Sequence, residues 1–123
     1  MTTPYCFVLR DLAIKPYVRM TQRSKFADPQ ARQYLASKAM LSSALAAVMV
    51  DKGWTMLPER TPLRCVLTFF QPKRLHGADL DNLAKAALDA AQGVVFRDDR
   101  WVDVIEADRW PGDALLVFTV GVL

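Results

Sequence analysis

Residues 63–93 read LRCVLTFFQPKRLHGADLDNLAKAALDAAQG, and their patterning decides the fold. Leu63 to Phe70 is apolar on both faces apart from Arg64 and Thr68, so it predicts a strand inside a sheet. Gln71 to Ala78 is a polar loop that carries Lys73, Arg74 and His76. A helix is predicted from at or near Asp79 to just before Gly93. Leu80, Leu83, Ala84, Ala87 and Ala91 fall on one stripe of it, which gives it a buried face.

Upstream, Tyr5-Cys6-Phe7-Val8-Leu9 predicts a first strand. Ile14 to Ala27 is a loop rich in cations: Lys15, Arg19, Arg23 and Lys25. Asp28-Pro29 is a strong helix start, an N-cap acid followed by proline at the first helical position. About 24 residues follow as far as Lys52, and Gly53 suits the position just past a helix end. Tyr34, Leu41, Leu45 and Val48 mark the buried face of that helix. Pro58 and Pro62 mark a loop. Downstream, Val94-Val95-Phe96 is a short strand-like run, and Trp101 to Ala107 reads as a clear strand. Trp110-Pro111-Gly112-Asp113 reads as a turn, and Ala114 to Leu123 as a last strand forming a hairpin with the one before. The predicted order is β-α-β-α-β-β. That order defines an α/β domain of the α+β two-layer kind, with two main helices on one face of a mixed sheet.

A chain of 123 residues is one domain's worth, here residues 1–123, and can bury a core without disulfides. Cys6 and Cys65 are too few and too scattered for a disulfide framework or a zinc site. Both lie in apolar runs and are expected to be buried thiols in a reducing cytoplasm. No secretory leader is visible. The longest apolar run, Ala39 to Val50, contains Ser42 and Ser43 and is far shorter than a membrane span. A soluble, cytoplasmic protein with no membrane partner is expected.

The net charge of +3 hides an asymmetry. Residues 1–78 carry twelve Lys/Arg against four Asp/Glu, and residues 79–123 carry four against nine. A basic half beside an acidic half suggests a polyanion partner. Cations can hold phosphates while a metal in the acidic half attacks one. A basic solvated face explains the charge balance equally well.

The acids are paired. Asp79 and Asp81 flank the start of the second helix, and Asp98-Asp99 follow where the chain could return. Like charges so close repel unless a cation holds them, and hard carboxylate oxygens suit Mg²⁺ or Mn²⁺. Residues two apart do not share a helix face. Asp79 can still converge with Asp81 if it is the N-cap, bonding the free N–H groups near the helix's positive end. Lys85 lies one turn beyond Asp81, where it could pair with that acid or reach a phosphate. The helix is about 21 Å long at roughly 1.5 Å per residue. An extended chain from Gly93 to Asp99 spans about 20 Å at roughly 3.3 Å per residue. The lengths permit a cluster of Asp79, Asp81 and one of Asp98 and Asp99. A plainer reading also fits: a capped helix, an Asp81–Lys85 ion pair and an acidic turn. His76 reads as an ordinary loop residue. Trp54, Trp101 and Trp110 read as core or interface, and Asp89 stays outside the metal site.

Three segments carry a resemblance. They are Phe70-Gln71-Pro72, the block from Asp79-Leu80-Asp81-Asn82-Leu83-Ala84-Lys85 through Asp89-Ala90, and Phe96-Arg97-Asp98-Asp99-Arg100-Trp101-Val102. Together they resemble the RusA family of Holliday-junction resolvases, with its D-L-D-N-L-x-K-A-x-x-D-A-L block and later D-D-x-x-V. Lys15 to Thr21 is similar to the K-P-x-x-R-M-T-like start of some members. The loop Lys73-Arg74-Leu75-His76-Gly77-Ala78 departs from the basic run that precedes the acids in others.

The resemblance implies a Mg²⁺-dependent endodeoxyribonuclease, with Mn²⁺ as a possible substitute. It implies a homodimer that binds four-way branched DNA and nicks two strands symmetrically in recombination and repair. The alternative is a branched-DNA-binding module that does not cleave. By resemblance, Asp79, Asp81 and Asp99 bind metal and Lys85 is catalytic. As a group, Lys15, Arg19, Arg23, Lys25, Lys73 and Arg74 are the candidate DNA contacts. A nucleoid-associated location would follow.

Overall fold

The computed structural model describes residues 3–12, 14–18, 28–72 and 79–123. Strand β1 (Tyr5–Arg10) is followed by helix α1 (Pro29–Lys52), strand β2 (Leu63–Gln71) and helix α2 (Leu80–Ala91). A single 3₁₀ turn (Asp99–Trp101) precedes strands β3 (Val102–Pro111) and β4 (Leu115–Val122). The order β-α-β-α-β-β and the α+β class are those expected.

Helix α1 begins and ends where its sequence signals lie. The Asp28 carboxylate accepts the Gln30 N–H at 2.9 Å, Pro29 opens the helix, and Gly53 closes it at φ 66°. That left-handed backbone is easy only for glycine. Tyr34, Leu41 and Leu45 are buried as predicted, while Val48 is half-buried and Met49 and Ala31 complete the face. The two helices are tied by the Ser42 hydroxyl, which donates to the Ala90 carbonyl at 2.8 Å.

The sheet order is β1-β4-β2-β3. Here the structure departs from the expected hairpin. β4 runs antiparallel between β1 and β2, and β3 runs parallel to β2 on its far side. The short link from β3 to β4 therefore crosses the end of β2, where the Gly112 N–H donates to the Gln71 carbonyl at 3.0 Å. Gly112 has φ 152°, and a Cβ there would sit 3.4 Å from the Phe70 ring. A tight apolar–turn–apolar pattern looks like a hairpin in sequence whether or not a third strand fits between the two arms.

β2 is interior, as predicted, but among the described residues only one of its faces is covered. Leu63, Cys65, Leu67 and Phe69 are fully buried under the helices with Phe7, Phe118, Leu83 and Leu45. Val66, Thr68 and Phe70, on the opposite face, are half-buried. The same alternation corrects the expectation for Cys6. It stands on the uncovered face and is exposed, whereas Cys65 is buried and its thiol is pushed up to about 12 by burial. Val94-Val95-Phe96 is a turn rather than a strand. Gly93 N–H donates to the Phe96 carbonyl at 2.7 Å, while Val95 and Phe96 are buried in the core. Of the tryptophans, Trp54 stacks on Tyr5 at 4.4 Å and Trp101 packs against the core, but Trp110 is 55% exposed. Among the described residues, no helix is long and apolar enough to cross a membrane.

Candidate active site

β2 and β3 are parallel neighbours, and α2 packs over the helix-covered side of β3. Ile105 and Ala107 of β3 form the floor beneath α2. Between them lies an open cavity of about 600 Å³ whose polar lining is Asp81, Lys85 and Asp99. Leu80, Ala84 and Leu88 supply the apolar wall. Three of the four residues singled out in the acidic segments thus share one cavity.

Asp79 stands just outside it. It is the N-cap of α2, with φ −78° and ψ 145°, and is exposed. It takes the expected N-cap position, but its side chain makes no capping hydrogen bond. Its carboxylate is therefore not engaged by the helix. Among the described residues, no three His, Cys, Asp or Glu side chains converge closely enough to hold one ion together. The reason lies in the returning chain. An extended path from Gly93 would have carried Asp99 back to the helix start. Instead the chain folds on itself at Gln92–Phe96 and then coils into the 3₁₀ turn. The Asp99 N–H approaches the Gln92 side-chain carbonyl at 3.4 Å, so Asp99 lies alongside the later turns of α2.

The two acids at the return have different tasks. Asp98 caps the 3₁₀ turn, accepting the Arg100 N–H at 3.0 Å, and sits 3.1 Å from the Arg100 guanidinium. The backbone hydrogen bond from Arg100, helped by its guanidinium, holds the Asp98 carboxyl below its ordinary range. Asp99 faces the cavity, and its carboxyl is raised. Partial burial is the main cause, followed by repulsion from Asp98 and Asp89, with Lys85 opposing. Such accumulation of negative charge in a partly dehydrated cavity is the electrostatic setting that favours a cation. The donors are hard carboxylate oxygens, and the Asp79 carboxylate nearby has no cap to serve. The donor chemistry suits a hard divalent ion, although the three carboxylates do not converge on one position.

Lys85 does not pair with Asp81, although the i, i+4 spacing allows it. The ion pairs among the described residues are Arg64–Glu106, Arg97–Glu59 and Arg100–Asp98. Instead the Lys85 ammonium lies over the Tyr17 ring, 4.0 Å from its centroid. Tyr17 is fixed from two sides. Its N–H donates to the Asn82 carbonyl at 3.1 Å, and its ring meets Tyr34 edge-on at 5.5 Å. The Tyr34 hydroxyl in turn donates to Asp89 at 2.8 Å. Burial, then the bond to Asp89, raises the Tyr34 phenol above its ordinary range. Sequence reading placed Tyr34 in the core and left Asp89 unassigned. The available signal was that a buried tyrosine hydroxyl needs a partner. Nothing in the sequence singles out Tyr17.

Of the candidate DNA contacts, Lys15 is exposed, and its N–H donates to the Ser37 hydroxyl at 3.1 Å. Arg19, Arg23, Lys25, Lys73, Arg74 and also His76 lie outside the described residues.

Fold and site together define a two-layer α+β domain with an acidic cavity, one lysine inside it, between a helix and a parallel strand. Residues 14–118 match the family model described as Endodeoxyribonuclease RusA. The chain belongs to the RusA endodeoxyribonuclease family. No curated protein matches the chain.

Proposed function

We propose that this protein is a metal-dependent, structure-selective endonuclease that resolves Holliday junctions by paired symmetric nicks. The observation that carries the reading is the single cavity lined by Asp81, Lys85 and Asp99 in a chain of an endodeoxyribonuclease family. The metal-bound form would draw Asp81 and Asp99 of the cavity, and Asp79 from the helix start, around a Mg²⁺ or Mn²⁺ ion. Bound there, such an ion supplies Lewis acidity and a more acidic water for attack on phosphorus.

The chain's own residues do the rest. Lys85 places positive charge where the phosphate oxygens and the departing oxygen gain negative charge, the kind of stabilisation that dominates phosphoryl transfer. The apolar wall of Leu80, Ala84, Leu88 and Ile105 limits water around those charges. Lys15 and the cations of segments 19–25 and 73–74 bind the flanking phosphates, which makes affinity salt-dependent.

Paired nicks on a junction of near two-fold symmetry call for two copies of the site. The uncovered face of the sheet supports a homodimer. It presents Cys6 and Val8 of β1, Val117 of β4, and Val66, Thr68 and Phe70 of β2. Val8 is 49% exposed.

The test is cleavage of synthetic four-way junctions with and without Mg²⁺, comparing the natural protein with Asp81→Asn. Paired nicks that need the metal and vanish in the variant, while junction binding persists, are expected. Junction binding without nicks in Mg²⁺ or Mn²⁺ would leave a branched-DNA-binding module instead.

A further inference from the structure

We propose that Tyr17 is a positioning residue for Lys85: its ring holds the ammonium away from Asp81 and leaves that carboxylate open. The inference rests on the reading of Asp81 as a metal ligand and Lys85 as the phosphate-facing cation. Asp81 and Lys85 are four residues apart on α2, acid before base, which is the favoured order for a helical ion pair. Such a pair would occupy the carboxylate and pull the ammonium toward the metal position. The structure shows a different partner. The Lys85 Nζ lies 4.0 Å from the Tyr17 ring centroid, within the range of an attractive cation–π contact.

The ring is held rather than merely close. The Tyr17 N–H is anchored to the Asn82 carbonyl, in the first turn of the helix that carries both Asp81 and Lys85. Behind it, Tyr34 packs edge-on, and Tyr34 is itself fixed by its bond to Asp89 on the third turn of α2. The Tyr17 backbone is thus tied to the first turn of α2, and its ring is backed by a tyrosine tied to the third. A ring offers the ammonium attraction without a competing negative charge, so Lys85 is left free to meet a phosphate.

The hydroxyl of Tyr17 plays no part in this contact, and the ring does. Phenylalanine should therefore serve where leucine cannot. The measurements are the shift of the Lys85 ε-methylene protons in lysine-labelled protein, Mn²⁺ affinity without DNA, and junction cleavage under single-turnover and steady-state conditions. In the natural protein the Lys85 protons should be shifted upfield by the ring. Tyr17→Leu should abolish that shift, weaken Mn²⁺ binding and lower kcat roughly tenfold with KM unchanged. Tyr17→Phe should restore the shift, the Mn²⁺ affinity and most of the rate.

An unshifted Lys85 signal in the natural protein would overturn the inference, whether or not Tyr17→Leu folds. So would normal Mn²⁺ affinity and cleavage in a folded Tyr17→Leu, or a Tyr17→Phe as impaired as the leucine variant. If the natural protein cuts no junction, the nuclease reading falls. The lysine shift and the Mn²⁺ titration still decide the role of Tyr17.

Discussion

Asp98 and Asp99 are adjacent in sequence and opposite in chemistry. Asp98 serves the backbone as a cap and is held low; Asp99 enters the cavity and is raised by burial and by its acidic neighbours. The sign of the second shift sets a prediction. A carboxyl raised on folding favours the folded state only while protonated, and that contribution is lost as pH rises through its folded value. At neutral pH without metal, Asp99 therefore opposes folding. Asp99→Asn should raise the thermal midpoint at pH 7 in chelator, and the gain should shrink to nothing as pH falls below the ordinary carboxylate range. Scanning calorimetry of both proteins across that range checks it. A neutral-pH midpoint lowered by the substitution would contradict the electrostatic picture of the cavity. The same site shows where reading at the residue scale stops. Asp81, Lys85 and Asp99 are all legible in the sequence, because charge spacing and family motif are local. The Lys85–Tyr17 contact joins residues 68 positions apart, and no local pattern announces it.

The helices were legible almost to the residue, because their ends carry chemistry in single side chains. Asp28 caps α1, Pro29 opens it and Gly53 closes it. Removing that cap by Asp28→Ala should cost about 0.5–2 kcal/mol, read as a lower urea midpoint with an unchanged slope. No loss of stability would mean that the Gln30 N–H finds water at no penalty. The strands were less legible. Apolar, β-branched and aromatic runs identify β1, β2 and β4, but pairing is set by which edges meet, and the sequence carries no mark of that. The insertion of β4 between β1 and β2 therefore escaped, and the Ala107 limit set for β3 fell four residues short of Pro111. The turn at Gln92–Phe96 escaped for a related reason. A buried apolar turn and a short strand have the same composition, and the difference moved Asp99 down the helix from Asp79.

At the scale of the whole molecule, the described residues put no layer on one face of the sheet and place the acidic cavity on the other. Val8 and Val117 are paired on that bare face, with Val66 and Thr68 of the next strand beside them. If it joins two copies, a charge there should separate them. Val8→Glu should convert a dimer to a monomer in sedimentation equilibrium while leaving the Asp81 cavity intact. A monomeric natural protein, or a dimer indifferent to the glutamate, would remove this face from the assembly. The central claim is catalytic, and one measurement addresses it directly: cleavage of a synthetic four-way junction in Mg²⁺ by the natural protein and by Asp81→Asn. Metal-dependent paired nicks, reduced at least a hundredfold in Asp81→Asn (~3 kcal/mol of transition-state stabilisation) with junction binding retained, are predicted. A natural protein that binds the junction with Mg²⁺ or Mn²⁺ present and never nicks it, or an Asp81→Asn variant that cuts as fast as the natural protein, would contradict the account.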